Sequence, residues 1–276
     1  DEFFFQGFTE IIDEQRPYAD IAHAALRFDS QQFSSVPGRM YKVRGVKIKI
    51  PHNGTVDATT GRLVYTGTFN GTLTTAKVWC SDPAWILFDL LTNVRYGLGD
   101  HITEAQLDKY AFYSASVYCS ALVDDGAGGQ EPRFSCNTIL QARQDAYEVV
   151  NSLTSVMRSI SYWNAGSLTI SQDRPTDPSY LFNLSNIGSG GFSYSGTSLK
   201  TRATVVSVSY FDMENQELDF ETVEDVAAKN KYGVLHKKIT GFGCSSRGQA
   251  RRLGRFLLFE EQNSTETINF TTGLSE

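Results

Sequence analysis

The run Asp82-Pro83-Ala84-Trp85-Ile86-Leu87-Phe88-Asp89-Leu90-Leu91 constrains the fold more than any other stretch of this chain. Asp82 is a strong N-cap and Pro83 suits the first helical position, so the pattern predicts a helix opening here. Gly97 is placed to end it in a left-handed conformation. Trp85, Ile86, Leu87, Phe88, Leu90 and Leu91 surround the helix on most sides, and such a helix must be buried by its own domain or by a partner. At this length it falls far short of the roughly 20 apolar residues a membrane span needs.

The flanks read differently. Residues 1–80 look mostly extended and form a β-rich segment. Tyr41 and Val43 share one face, then Val46, Ile48 and Ile50 another, with a phase slip at Gly45 of the kind a β-bulge leaves. Val64 to Phe69, the turn Asn70-Gly71 and Thr72 to Trp79 predict a hairpin. Residues 81–174 read as a compact α+β unit. A second helix is expected from Thr103, where Gln106 completes a capping box, with Leu107, Tyr110, Ala111, Ser114 and Tyr118 inward. A third is expected from Thr138, again with a capping box at Gln141, to about Arg158. Its apolar period runs through Ala142, Ala146, Val149, Val150, Leu153, Val156 and Met157. Ser159 to Trp163 and Ser167 to Ser171 then make a short hairpin across Asn164-Ala165-Gly166.

Arg174-Pro175-Thr176-Asp177-Pro178 reads as a linker. Residues 175–276 return to strands, with one long helix. Thr204, Val206, Val208 and Tyr210 point one way and Val205, Ser207 and Ser209 the other. Leu218, Phe220 and Thr222 alternate with Glu217, Asp219 and Glu221, a half-solvated antiparallel pair. The helix runs from about Ser245 to Gln262, before a strand with Ile268 and Phe270 inward.

Composition narrows the function classes. The net charge of -6 argues against a dedicated nucleic-acid binder, which carries a basic footprint. Cys80, Cys119, Cys136 and Cys244 show no CxxC pairing and no His at ligand spacing, so they read as reduced thiols, with a disulfide or zinc site as the alternative. The sequons at Asn53, Asn70, Asn183, Asn263 and Asn269 read as common Asn, Ser and Thr, and the first two as turns. No basic n-region followed by an apolar stretch opens the chain. The absence of Met at position 1 suggests a piece excised from a longer protein.

Catalytic constellations are weak. Asp124-Asp125-Gly126-Ala127-Gly128-Gly129 lacks the following helix and the Lys of a phosphate cradle, and the alternating acids and Glu of an EF-hand, so it reads as a tight loop. Asp124, Asp125, Glu131, Glu260 and Glu261 could supply a glycosidase pair, yet nothing marks one as buried and another as solvated. His23, His52, His101 and His236 have no nucleophile elbow to serve. No cofactor is expected. The one organised charge feature lies on the last helix. Arg247, Arg251 and Arg255 are spaced four apart with Arg252 beside them, while Ala250, Leu253, Phe256 and Leu257 face away. The stripe is either a solvated face or a docking surface for another subunit.

Several runs together resemble a known family. They are Gly7 to Asp13; Asp82-Pro83-Ala84-Trp85 with Arg95-Tyr96-Gly97-Leu98-Gly99; Asp125 to Arg133; and Trp163 to Thr169 leading into Gln172-Asp173-Arg174-Pro175. Val223-Glu224-Asp225 and Phe242 to Ala250 follow. In order and spacing they resemble the tail tip attachment (host-specificity) family of lambda-type long-tailed phages. The resemblance implies α+β architecture, with β-barrel or antiparallel hub domains and an inserted small helical α+β domain. It implies a homotrimeric hub at the virion tail tip, made in the host bacterial cytoplasm. The hub would join the tail tube to the receptor-engaging tip and open for DNA passage. Adjoining tail proteins are the expected partners, with the tape-measure protein and DNA in the lumen. Host receptor contact is expected in segments outside this chain, and neither catalytic residues nor membrane insertion is implied. The rival reading is a cell-envelope glycan-binding or glycan-hydrolysing module, which burial of Trp79, Trp85 and Trp163 would disfavour.

Overall fold

A computed structural model describes residues 31–32, 35, 38–140, 145–164, 166–196 and 202–273. The chain divides into two units, Asp1–Lys42 and Val43–Glu276. The described residues of the first unit carry no helix or strand, and all that follows concerns the second.

Residues 48–52 run antiparallel to 72–78. Ile48 and Val78 exchange both backbone hydrogen bonds, and the Thr74 N–H reaches the Ile50 carbonyl at 2.7 Å. Strands β1 (Gly54–Val56) and β2 (Leu63–Tyr65) form a hairpin in the register Gly54↔Tyr65. The expected hairpin across Asn70-Gly71 is therefore corrected. The turn exists, with Gly71 at φ 85° and the Asn70 carboxamide accepting from Thr72 N–H. Its two arms, however, pair with other segments. The core selects these partners: Ile48, Ile50 and Leu63 are all buried in one cluster. Val43 and Val46 are exposed and residues 40–47 form no strand, so the slip at Gly45 is not a bulge.

Helix α1 (Pro83–Thr92) opens where expected, at N-cap Asp82. Ala84, Trp85, Leu87, Phe88 and Leu91 are buried. Phe69 and Tyr113 stack beside it with centroids 4.5 Å apart, and the Trp85 indole N–H donates to the Tyr65 hydroxyl at 2.9 Å. The helix ends earlier than Gly97, at extended Asn93. Gly97 is not left-handed. Instead the chain folds back across the helix end, with Leu98 N–H on the Leu90 carbonyl at 2.9 Å. A Cβ on Gly97 would stand 1.9 Å from that carbonyl oxygen, so glycine is required for close approach.

The Thr103–Gln106 pairing forms, with the Gln106 carboxamide oxygen accepting from the Thr103 N–H and hydroxyl at 2.9 Å each. It encloses only a 3₁₀ turn, Glu104–Gln106. Helix α2 (Lys109–Ser120) starts later, at N-cap Asp108. That shift turns Phe112, Ala115, Ser116 and Cys119 inward and leaves Tyr110 exposed. Strands β3 (Leu122–Asp124) and β4 (Gln130–Pro132) form a hairpin on either side of the acidic loop. Helix α3 (Ala146–Val156) begins at N-cap Asp145 rather than Thr138; residues 138–140 are not helical, and Gln141 and Ala142 lie outside the described residues. Val150, Leu153, Val156 and Met157 are buried as the period predicts, whereas Ala146 is exposed. Strands β5 (Ser159–Asn164) and β6 (Ser167–Gln172) make the expected hairpin.

The linker residues 174–178 carry no helix or strand, though the Arg174 guanidinium holds the Ser114 hydroxyl at 2.9 Å. Strands β7 (Ser193–Gly196), β8 (Val205–Asp212) and β9 (Glu217–Glu224) follow, then helix α4 (Val226–Tyr232) and strand β10 (His236–Thr240). Helix α5 (Arg247–Asn263) and strand β11 (Glu266–Asn269) close the described fold. The principal sheet has the order β10-β8-β9, with β9 antiparallel to β8 and β10 parallel to it. The parallel strand was not among the expectations. Val206, Val208 and Tyr210 pack with Ala250 and Leu258 of α5 in a second core. Strand β11 pairs with β7 in a ribbon of its own, where Ile268 is exposed rather than inward and Phe270 stands at the edge of exposure. Among the described residues the sheets are small and none closes into a barrel.

Candidate partner interface

Helix α5 forms because Ser246 caps it, its hydroxyl accepting from Gln249 N–H, and because small residues let it lie close to its neighbours. A Cβ on Gly254 would meet Val223 of β9 at 3.0 Å, and one on Gly248 would meet the Asp125 carbonyl oxygen at 2.7 Å. The helix is thus wedged between the β8–β9 sheet and the β3–β4 hairpin. Buried Gln249 ties it further. Its carboxamide accepts from the Ser135 N–H and hydroxyl, and donates to the Ser135 carbonyl at 3.0 Å.

The structure brings the arginines of the stripe to different ends. Arg252 is half-buried and grips the β3–β4 hairpin. Nη1 meets Glu131 at 2.6 Å and the Asp124 carbonyl at 3.3 Å, while Nη2 takes the carbonyls of Pro132 and Arg133. Arg251 donates to the Gly126 carbonyl at 3.2 Å. Arg247 pairs with Glu221 of β9 at 2.8 Å, and that hydrogen bond raises the arginine further above its ordinary range. Arg255 is exposed. Arg158, which the sequence reading did not single out, lies 3.8 Å above the Phe256 ring and donates to the Arg252 carbonyl. Its burial lowers its pKa. The stripe is therefore partly an internal clasp between α5 and the α+β unit, with Arg255 and most of Arg247 left facing outward.

The acidic loop behaves as a tight loop. The Asp125 carboxylate accepts from Ala127 and Gly129 N–H, and these bonds hold it below the usual carboxylate range. Glu131 is taken by Arg252 and Glu261 by Lys237 at 2.8 Å. His236 bonds through Nε2 to the Ser207 hydroxyl at 2.7 Å, a pairing that only the parallel β10 creates. Ser207 lies buried in the sheet and also meets the Thr222 hydroxyl. His23 lies outside the described residues. Among the described residues no group of three or more His, Cys, Asp or Glu could hold a metal, and no helix is long and apolar enough to cross a membrane. All four cysteines are buried free thiols.

Several large apolar side chains also remain outward. Phe211, Leu218 and Phe220 stand exposed on the sheet face away from α5, as cross-strand neighbours. Around the β7–β11 ribbon, Phe182 lies 4.8 Å from both Tyr180 and Phe270, and Phe270 lies 5.3 Å from Phe192; Leu181, Leu184 and Tyr194 are exposed there. Ile160, Tyr162 and Trp163 are exposed on β5. Trp85 is fully buried and Trp79 half-buried, while Trp163 is 56% exposed, so the tryptophans do not all retreat from solvent.

Residues 145–276 match the family model described as a putative phage tail protein. The curated relatives are more specific. The chain is 37% identical over 276 residues to the Tip attachment protein J of Escherichia phage SECphi27, covering 99% of the chain and 23% of that protein. It is 31% identical over 272 residues to the Tip attachment protein J of Escherichia phage SECphi4, covering 98% of the chain and 23% of that protein. Over nearly its whole length the chain is homologous to the tip attachment protein J family, and it spans less than a quarter of those relatives.

Proposed function

We propose that this chain is a structural part of a phage tail tip. It forms with two further copies a central hub of β-barrel and antiparallel domains with an inserted α+β unit. The hub links the tail tube to the receptor-engaging tip and opens for DNA passage. Its work is packing rather than catalysis. The observation that carries the reading is the amount of apolar surface left outward on a chain homologous to tip attachment proteins. Leu218 and Phe220 on β9 and the aromatic β7–β11 ribbon are in this class. A two-stranded ribbon is marginal in water by itself, and apolar patches of this kind mark surfaces that other chains cover. Adjoining tail proteins and sister copies are the partners, and Arg247 and Arg255 are available to rim such a contact.

A glycan-binding module draws on one specific observation, the exposed Trp163 and Tyr162 of β5. The hub reading is favoured because β5 and β6 contain no Asp or Glu to work beside those rings. Light scattering across a concentration series tests the choice. The hub reading expects a trimer or a monomer–trimer equilibrium. A strict monomer that binds envelope oligosaccharides, with affinity lost in Trp163→Ala, would replace it.

A further inference from the structure

Four arginines from separate parts of the chain gather beside helix α5. They are Arg133 after β4, Arg158 between α3 and β5, Arg174 after β6, and Arg252 on α5 itself. Aromatic rings interleave them. The Tyr118 ring of α2 lies 4.3 Å from the Arg133 guanidinium carbon and 5.6 Å from that of Arg174. Phe134 stands 6.3 Å from Tyr118 and 5.3 Å from the Arg158 guanidinium, which also covers Phe256 at 3.8 Å. Arg158 in turn donates to the Arg252 carbonyl at 3.3 Å. All four arginines are half-buried, so each keeps part of its side chain open to solvent.

Their donors outnumber the acceptors within reach. The Nε atoms of Arg133, Arg158 and Arg252 are buried and have no hydrogen-bond partner. Among the described residues the Arg133 guanidinium donates no hydrogen bond at all. A ring face attracts a cation through its π cloud, but it accepts nothing from N–H groups that point along the guanidinium plane. Two carboxylates face the four charges. Glu131 is taken by Arg252 at 2.6 Å, while Asp173 is exposed and reaches Arg158 only through space. Arg252 and Arg133 repel Arg158, adding to the burial that lowers its pKa. Buried donors without acceptors are rare in native proteins, and here they belong to groups of one sign. An anion answers both the missing acceptors and the excess charge, and the guanidinium fork matches the geometry of an oxyanion.

We infer that this cluster is a site for one oxyanion, held by Arg133 and Arg158 with Arg174 at its border. The anion comes either free from solution or on the acidic side chain of an adjoining chain. Arg252 stays on Glu131 and the β3–β4 carbonyls. The inference does not rest on the trimeric hub reading, because all four arginines belong to one copy.

Thermal melts at fixed ionic strength test it, with chloride exchanged for inorganic phosphate or for acetate. They compare the unaltered chain, Arg133→Gln, and Arg255→Gln as an exposed control. Fixed ionic strength holds the screening of arginine repulsion constant, and the control reports the general stabilisation that excluded anions give. The unaltered chain and the control should show a saturable rise in melting temperature. Arg133→Gln should need about tenfold more anion for the same rise. Saturation by phosphate, with or without acetate, identifies a free anion as the source. A response to acetate alone identifies a side-chain carboxylate. A purely structural role for Arg133 would lower the melt equally at every anion concentration and would overturn the site. An unaltered chain that gains no more than Arg133→Gln from either anion would overturn it too. Should Arg133→Gln fail to fold by circular dichroism, the arginine Nε–H NMR signals of the unaltered chain decide. Those of Arg133 and Arg158 should shift saturably with anion, and signals that stay fixed would overturn the site.

Discussion

Replacing Asp82 should reveal both the cap and the burial of its charge. The carboxylate accepts from Ala84 and Trp85 N–H at 3.0 and 3.1 Å through Oδ1, and from the Ser116 and Ser120 hydroxyls at 2.7 and 3.3 Å through Oδ2. It thereby joins the start of α1 to α2 inside the first core. Loss of an N-cap costs about 0.5–2 kcal/mol, and a buried hydroxyl left unpaired costs about 1–3 kcal/mol. Asp82→Ala should therefore destabilise by about 3 kcal/mol at pH 4, where the folded carboxyl is neutral, and by less as pH rises and relief of the buried charge offsets the loss. Asp82→Asn keeps the cap oxygen and separates the two effects. Burial pushes the Asp82 pKa up from 3.8 to about 6. A carboxyl raised in the folded state contributes most below its unfolded value, and that contribution is lost as pH rises through 6. The shift of 6 minus 3.8 is about 2 units, or about 3 kcal/mol at 1.36 kcal/mol per unit. Urea melts from pH 4 to pH 7.5 should show Asp82→Asn gaining on the unaltered chain by about that much as pH rises. A difference that stays flat with pH would refute the reasoning.

Gly97→Ala should cost on the order of 3 kcal/mol, the upper range for forced overpacking, because its Cβ collides with the Leu90 carbonyl; a melt within error of the unaltered chain would show that the loop can retreat. Arg252→Ala removes a fork that serves Glu131 and three carbonyls. At about 1.5–3 kcal/mol for hydrogen bonds to a charged group, it should destabilise by about 2 kcal/mol and speed hydrogen exchange in 122–132. Unchanged exchange there would remove the clasp. Burial pushes the Cys80 and Cys136 thiols up to about 12 and Cys244 to about 11. An aromatic disulfide reagent at pH 8 should therefore label none of the four until denaturant is added, and fast labelling of the native chain would contradict their placement.

Signals that act within a few residues of chain were legible. Asp82 and Ser246 cap helices near where their side chains promised, and β5 pairs with β6 as the pattern required, with Ala165 of the expected turn outside the described residues. Signals whose meaning depends on distant chain were read less well. The Thr103–Gln106 box formed but held a single turn, because Asp108 offered a second cap five residues on. Asn70-Gly71 turned the chain, yet pairing followed the burial of Ile48, Ile50 and Leu63, which no local rule reveals. The arginine stripe was visible as a period. Its destination was not, since Arg251 and Arg252 end largely on backbone carbonyls, and a carbonyl leaves no mark in a sequence. Strand β10 stayed hidden for a related reason. His236-Lys237-Lys238 looks like a basic loop until β8 lies alongside it.

The most direct test of the hub is a reconstruction of the tail tip from virions of the phage that encodes this chain. The account predicts three copies of this fold around the tail axis where the tube meets the tip, with their apolar faces covered by sister copies or adjoining tail proteins. Finding the fold as a single peripheral copy, or away from the tail tip, would contradict it.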